Sequence, residues 1–247
     1  MTKKYILTDN CISLYKGKKL YQIKCVQSFG CVREGDLGGF IEKEDNLSHD
    51  GDCWIYDEAR VYDDAKVHDD ALVFCRAEVH GCAEVFGEAQ LCDKVNIYGN
   101  AKIYDRAKVS DYACVCDNAS VYGDAQIYGC AKVHGNAEVY NEANVCDRSD
   151  VYGDAQIFGK ACLFGGARIG GEGWISSDDD HCGLDLCLGN GHIHAYMTRY
   201  DTVEVTDEGF QGTLDEFVKY IKSKYNRINE KQYNAIVAII MAKFNLD

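Results

Sequence analysis

A six-residue repeat that runs without insertion constrains the fold of this chain more than any other feature. It covers residues 55–174 in twenty units. The first position is Ile, Val or Leu in all twenty, the fifth is Ala in seventeen, and the third is Gly, Asp or Asn except at Cys75. Aliphatic residues every six positions do not follow a 3.6-residue period, so the pattern excludes a helix.

Each unit is predicted to form a short strand followed by a corner. In the stretch AQIY at 125–128, small and aliphatic residues alternate with polar and aromatic ones, as in a strand with one buried face. The next two residues are of types that accept positive φ or bond their own backbone, which suits a corner. Strands and corners that repeat in this way predict a solenoid.

The repeat resembles that of the hexapeptide-repeat proteins. The flanking segments GDLGGFIEKEDNLS (35–48) and GFQGTLDEFVKYI (209–221) resemble the caps of array proteins common in phages and prophages. The resemblance implies a left-handed parallel β-helix with three hexads per triangular coil. Twenty hexads then give six to seven coils, and a rod roughly 30 Å long at about 4.8 Å per rung.

We therefore expect a mainly β chain in three parts: an N-terminal β cap at 1–46, the β-helix at 47–177, and a small α+β domain at 178–247. The cap should contain a hairpin around residues 16–18. The C-terminal part should contain two strands that turn at 200–201 and two helices. A Thr-x-x-Glu capping box opens the first helix at Thr213, and the second helix is predicted at about 229–244.

Eighteen residues per coil would place hexads that are three apart on the same face. Two faces then carry mixed or interrupted side chains at the second position, whereas the third carries an unbroken run of rings. We call this run the ring column. Its six members are His68, Phe86, Tyr104, Tyr122, Tyr140 and Phe158.

Two interpretations of the ring column are open. Stacked rings stabilise neighbouring rungs by roughly 0.2–1 kcal/mol per pair, so the column could simply hold the rod together. Six rings, half shielded by one another, would also leave roughly 400–700 Å² of contiguous apolar surface, which reaches the largest patch of a typical monomer. We therefore predict a binding surface. Because hexapeptide-repeat proteins are commonly trimers, the resemblance implies a homotrimer as the first partner.

Composition limits the compartment and the partners. Fourteen cysteines are spaced irregularly, and none forms a CxxC pair. So many thiols favour a reducing cytoplasm, which would be the host cytosol for a phage protein. The net charge of −14 argues against direct nucleic-acid binding. No apolar run is long enough for a membrane span, and the start MTKKYILTDN lacks a signal core, so we expect neither insertion nor secretion.

Candidates for chemistry are few, and we predict no catalytic residue, cofactor or metal. The run DDDHC at 178–182 reads as an exposed crossing, since five consecutive residues cannot converge on one zinc ion. Acidic corners at 57–58, 63–64 and 69–70 read as turn formers beside a solvated end, with weak Ca²⁺ binding as the alternative. The sequence GNGH at 189–192 is an ordinary turn signal.

Three functions follow from these observations. The first is a non-enzymatic, trimeric, phage-type binding rod that engages a host protein or a small signalling ligand through its aromatic face, its subunit grooves or its C-terminal domain. The second is an acyltransferase, for which the resemblance implies a histidine base. Of His68, His80 and His134, His68 is the best placed, yet no loop interrupts the hexads to enclose a donor. The third is an acidic mimic of nucleic acid, because residues 55–174 carry twenty acidic and eleven basic residues.

Overall fold

The computed structural model of this 247-residue chain describes residues 3–185, 192–207, 209–224 and 230–246. Three longer strands come first: β1 (Tyr5–Ser13), β2 (Lys19–Cys25) and β3 (Leu37–Ile41). Twenty-one strands of two residues follow, from β4 (Trp54–Ile55) to β24 (Trp174–Ile175). The strands between them are β5 (Arg60–Val61), β6 (Lys66–Val67), β7 (Leu72–Val73), β8 (Glu78–Val79), β9 (Glu84–Val85), β10 (Gln90–Leu91), β11 (Asn96–Ile97), β12 (Lys102–Ile103), β13 (Lys108–Val109), β14 (Cys114–Val115), β15 (Ser120–Val121), β16 (Gln126–Ile127), β17 (Lys132–Val133), β18 (Glu138–Val139), β19 (Asn144–Val145), β20 (Asp150–Val151), β21 (Gln156–Ile157), β22 (Cys162–Leu163) and β23 (Arg168–Ile169).

The short strands build a parallel β-solenoid of stacked coils. Each strand pairs in parallel with the third strand along the chain, as β12 does with β15 through Lys102↔Ser120 and Ile103↔Val121. The partners are eighteen residues apart, so the predicted coil length is confirmed. Two of the resulting sheets have seven strands, and the third is extended to ten by β1, β2 and β3.

The solenoid has about eight turns rather than the six to seven predicted. The additional turn precedes the repeat: β3 pairs in parallel with β5, and Leu47 forms a parallel bridge with Val67. This first turn does not follow the six-residue pattern, so counting hexads from residue 55 missed it. Within the repeat, the aliphatic first position and the alanine at the fifth position fill the interior and are almost fully buried.

The corners depend on the third position of each hexad. All twenty residues at this position, ten Gly and ten others that include Cys75, have positive φ. At each of the eight aspartates among them, the carboxylate accepts the backbone N–H of the residue eighteen positions later, as Asp111 does from Gly129 at 2.8 Å. These side chains therefore connect one coil to the next. At the fourth position, an amide ladder links Asn100 to Asn118 and Asn118 to Asn136, at 3.0 Å each.

The predicted N-terminal hairpin is confirmed: β1 and β2 pair antiparallel around a 3-10 turn at Tyr15–Gly17. β2 then pairs with β3, whose Gly38 and Gly39 lie so close to the first coil that a Cβ atom would come within 2.6 Å of the backbone. The open end of the rod is closed by Tyr5, whose hydroxyl donates to the Leu47 carbonyl at 2.7 Å. The nearly buried Lys4 ammonium group donates to the Cys53 carbonyl at 3.0 Å.

The C-terminal part contains an antiparallel sheet and two helices. The sheet, called the C-terminal sheet below, comprises β25 (His181–Asp185), β26 (His192–Met197), β27 (Val203–Asp207) and β28 (Phe210–Thr213) in that order. Helix α1 spans Leu214–Lys224 and helix α2 spans Glu230–Lys243. The turn at 200–201 and the capping box are confirmed, because Thr213 and Glu216 exchange side-chain to backbone hydrogen bonds of 3.0 and 3.3 Å.

The predicted exposed crossing at 178–182 is confirmed in part: Asp178 and Asp179 are exposed, whereas His181 and Cys182 are half-buried and belong to β25. Residues Asp178–Asp180 form a 3-10 turn with Ser177 as its N-cap, and β25 begins at His181. Asp180 Oδ2 accepts the Ser176 backbone N–H at 2.7 Å, and Asp178 Oδ1 accepts the Cys162 N–H at 2.9 Å. The acidic side chains thus satisfy the backbone of the last coil where the chain leaves the rod.

Candidate functional site

The ring column exists as a continuous stack along one seven-stranded sheet. Consecutive ring centroids are 4.8–5.2 Å apart, and neighbouring planes lie within 3–8° of parallel. The six rings follow consecutive strands of the same sheet, which is why they align. All six predicted binding residues are therefore brought together.

Stacking changes what the column offers to a partner. Each ring is covered on its flat sides by its neighbours, and all six side chains are half-buried. The exposed surface is consequently a row of ring edges with three tyrosine hydroxyls. Such a surface combines apolar contact area with regularly spaced polar groups, as is typical of tyrosine-rich interfaces.

Polar neighbours orient the middle of the column. The Tyr122 hydroxyl donates to Glu138 Oε2 at 3.0 Å, and the Tyr140 hydroxyl donates to Gln156 Oε1 at 3.1 Å. Burial raises the pKa of Tyr104 and Tyr140, and burial followed by the Glu138 carboxylate raises that of Tyr122. The hydroxyls therefore stay protonated near neutral pH and act as donors.

The structure adds one aromatic residue to this face. Trp174 packs edge-on against Phe158, with ring centroids 4.9 Å apart, and keeps 37% of its surface exposed. It lies at the sixth hexad position, so a column read only from the second position could not include it. At the opposite end, His68 Nδ1 lies 3.3 Å from Asp69 Oδ1.

The histidines proposed as alternative bases lie on the outside of the coils. His80 Nε2 lies 3.0 Å from Asn96 Oδ1, and His134 Nε2 lies 3.0 Å from Asp150 Oδ1. A His–carboxylate pair can act as a base. Residues 55–174 are all described, however, and no loop interrupts their coils, so no element of the repeat encloses these rings or excludes water from them.

The acidic clusters serve the backbone. The carboxylates of Asp57, Asp63 and Asp69 accept N–H groups from the next coil. Among the described residues, no group of three or more His, Cys, Asp or Glu side chains is arranged to hold a metal ion. The sequence reading of these corners as turn formers agrees with their geometry. Positions 189–191 of the predicted turn at 189–192 fall outside the described residues.

One further concave site was missed by the sequence reading. A cleft of about 830 Å³ lies where the C-terminal sheet meets the outer surface of the last coils. Its lining includes Lys132, Arg148 and Arg168 from the solenoid and His194 from β26. The basic residues precede the C-terminal sheet by thirteen or more positions in sequence, so the packing of that sheet brings the two sets together.

Comparisons with known proteins do not identify a relative. No protein-family model matches the chain, and no curated protein matches it either. The fold is therefore established as a parallel β-solenoid on its own geometry. Within the described ranges, no helix has both the length and the apolar character needed to cross a membrane, and all thirteen described cysteines are unpaired.

Proposed function

We propose that this protein is a non-enzymatic binding rod whose ring column is an interface, and that its first partner is a second copy of the chain in a trimer. One observation carries the proposal: the ring column runs unbroken over six rungs and continues to Trp174. Rungs can be held together by backbone pairing and core packing alone. A row of aromatic edges on the outside adds surface that a partner can bury.

The arrangement of the caps favours this face over the others. The N-terminal strands β1–β3 extend the ten-stranded sheet, and the C-terminal cleft is also lined by strands of that sheet. The ring column lies on a different sheet, made only of seven two-residue strands. Three rods placed side by side could therefore bring their ring columns together without moving either cap.

The finer assignment rests on the sequence resemblance. We propose a left-handed coil of the hexapeptide-repeat type, a phage-type origin and residence in a reducing cytoplasm, which suits thirteen unpaired cysteines. In such a setting the trimer would present a host protein or a small signalling ligand with a rigid, acidic surface. The acyltransferase and nucleic-acid-mimic alternatives lack an observation of comparable weight.

The test is the mass in solution under reducing conditions, measured by light scattering on a sizing column. We expect three times the 27.6 kDa of one chain. The double variant Tyr104→Ser/Tyr122→Ser should fall to the mass of one chain while its circular dichroism spectrum is unchanged, because the edges are removed and the core is intact.

The matched control is Tyr62→Ser/Tyr98→Ser, which removes two rings from the ten-stranded sheet, where each stacks on His80. This control should keep the wild-type mass. A monomeric wild type would overturn the proposal. So would a double variant of the ring column that remains folded and trimeric.

A further inference from the structure

The cleft beside the C-terminal sheet is a second candidate site, on a different face from the ring column and independent of the proposed trimer. It is lined by residues of three successive strands of the ten-stranded sheet, Lys132, Asp150 and Arg168, and by β25 and β26 on the other side. At about 4.8 Å per rung, the Lys132 and Arg168 backbones are about 10 Å apart. Its volume, about 830 Å³, lies within the range of small-molecule sites.

The cleft is basic although the chain carries a net charge of −14. The described part of its lining contains Lys132, Arg148 and Arg168 against one carboxylate, Asp150. That carboxylate is already engaged, since it lies 3.0 Å from His134 Nε2 and 3.7 Å from Arg168 Nε.

Two cations in the cleft form no ion pair with a described residue. The side chains of Lys132 and Arg148 form no hydrogen bond or ion pair with any described part of the chain. Two uncompensated cations on one wall attract a ligand with more than one negative charge.

Two glycines open the floor of the cleft. A Cβ atom added to Gly165 or Gly166 would meet no atom within 4 Å. The corner column that ends at Gly166 carries Tyr112 and Arg148 on earlier coils, so the missing side chain leaves a gap one residue deep. Beside the gap, Phe164 keeps 59% of its surface exposed, which offers a flat apolar ring to a ligand.

A buried polar group also points to an occupant. His194 is only 7% exposed, lines the cleft, and its Nδ1 atom has no hydrogen-bond partner. An unpaired buried nitrogen destabilises the folded protein. A ligand that reaches the cleft could satisfy it.

We propose that this cleft binds a nucleotide. Lys132 and Arg148 would hold the phosphates, with Arg168 at the upper rung, and Phe164 would stack against the base. His194 would form a hydrogen bond with the ligand at the back of the cleft. The cleft at Gly17 also combines a lysine, an exposed ring and a bare glycine, but its lysine, Lys18, is paired with Glu42 and Asp63. The cleft beside the C-terminal sheet instead offers Lys132 and Arg148, which form no ion pair with a described residue.

Calorimetric titration of the full chain with ADP, inorganic pyrophosphate and adenosine tests the proposal. We expect ADP to bind, pyrophosphate to bind at least tenfold more weakly, and adenosine not to bind measurably. Lys132→Gln/Arg148→Gln should weaken ADP at least tenfold. The matched control Lys108→Gln/Arg106→Gln removes the same charge from the same hexad positions elsewhere on the rod and should change affinity by less than twofold.

A steric variant avoids any doubt about folding. Gly166→Tyr fills the floor of the cleft with a side chain that the same corner column already accepts at Tyr112, so the variant should fold and fail to bind ADP. The proposal is overturned if wild type does not bind ADP at millimolar concentration, or if the matched control loses as much affinity as the cleft variant. Pyrophosphate binding as tightly as ADP would also overturn it, because Phe164 would then contribute nothing.

Discussion

At the scale of single residues, the corners of the rod are defined by one backbone conformation and one hydrogen bond. Every third-position residue has positive φ, and every aspartate there bonds to the coil above. Glycine and aspartate meet the requirement differently: glycine adopts the conformation without strain, whereas aspartate offsets the strain with an inter-coil hydrogen bond. This explains why glycine and aspartate together fill eighteen of the twenty third positions.

Substitutions at Asp111 should separate the two contributions. Asp111→Ala removes the bond to Gly129 and keeps the Cβ atom at φ 61°, whereas Asp111→Gly removes that bond and also relieves the strain of the Cβ atom. We expect Ala to lower the free energy of unfolding by about 1 kcal/mol more than Gly. Urea denaturation with comparable m-values would measure this, and Asp111→Asn should be nearest to wild type because Asn141 occupies the same position. Equal losses for Ala and Gly would contradict the explanation.

His194 should make stability depend on pH. Burial, together with the charges of His181, His192 and Arg168, lowers the pKa of His194 to about 4. The unfolded chain has the ordinary value of about 6.5, so between these two values it binds more protons than the folded protein. Stability must therefore fall as pH is lowered through this window.

The expected loss between pH 7 and pH 5 is about 2 kcal/mol from this residue. His181, whose pKa burial also lowers, acts in the same direction. Urea midpoints of wild type and His194→Gln at the two pH values would measure the effect. The variant should lose clearly less stability on acidification than wild type does, and an identical loss would refute the assignment.

At the scale of elements, the rod is made of strands too short to exist alone. Two residues cannot hold a strand conformation unless both neighbouring rungs pair with them, so each strand depends on the coil above and below. The stacked rings and the amide ladder add further contacts between neighbouring coils. The C-terminal helices depend instead on interactions between residues close in sequence. Helix α1 begins at a capping box in which Thr213 and Glu216 bond to each other.

Thr213→Ala should destabilise the start of α1 by about 1 kcal/mol. The substitution removes the acceptor for the Glu216 N–H and the hydroxyl that donates to its carboxylate. Hydrogen exchange should become faster in residues 214–224 and stay unchanged in the coils. Ser223→Ala, at the far end of the same helix, is the control and should leave exchange in the first turn as it was. Unchanged exchange near Thr213 would show that tertiary packing alone sets this boundary.

The sequence predicted these elements unevenly, for physical reasons. The hexad register, the corner residues and the stacking of Tyr104 on Tyr122 follow from a strict period, because each coil repeats the environment of the last. The first turn, which contains Leu47, was not predicted because its sequence does not follow the six-residue repeat. Strand β28 was also not predicted. It is only four residues long and is stabilised by its pairing with β27, which a local sequence pattern does not reveal.

At the scale of the whole molecule, the two candidate sites differ in how well they could be predicted from the sequence alone. The ring column is a property of one repeating surface, so a period of eighteen was enough to assemble it. The cleft depends on where the C-terminal sheet packs: Thr206 Oγ1 donates to the Arg168 carbonyl at 2.9 Å, and Gly173 bridges Thr198. No pattern along the chain encodes that docking, so His194 and Lys132 could not be placed together beforehand.

Paired strands of the rod are always eighteen residues apart, so the effect of a deletion depends on its length. Removing eighteen residues inside the repeat would shorten the rod by one coil and keep the side chains of each face aligned. Removing six would turn everything downstream by one third of a revolution. Phe158 would then lie above a different row from Phe86, and the cleft beside the C-terminal sheet would move to another side of the rod. The length of the rod and the rotational position of its surface features can thus change independently. The rotational position is constant along this rod because no insertion interrupts the twenty hexads.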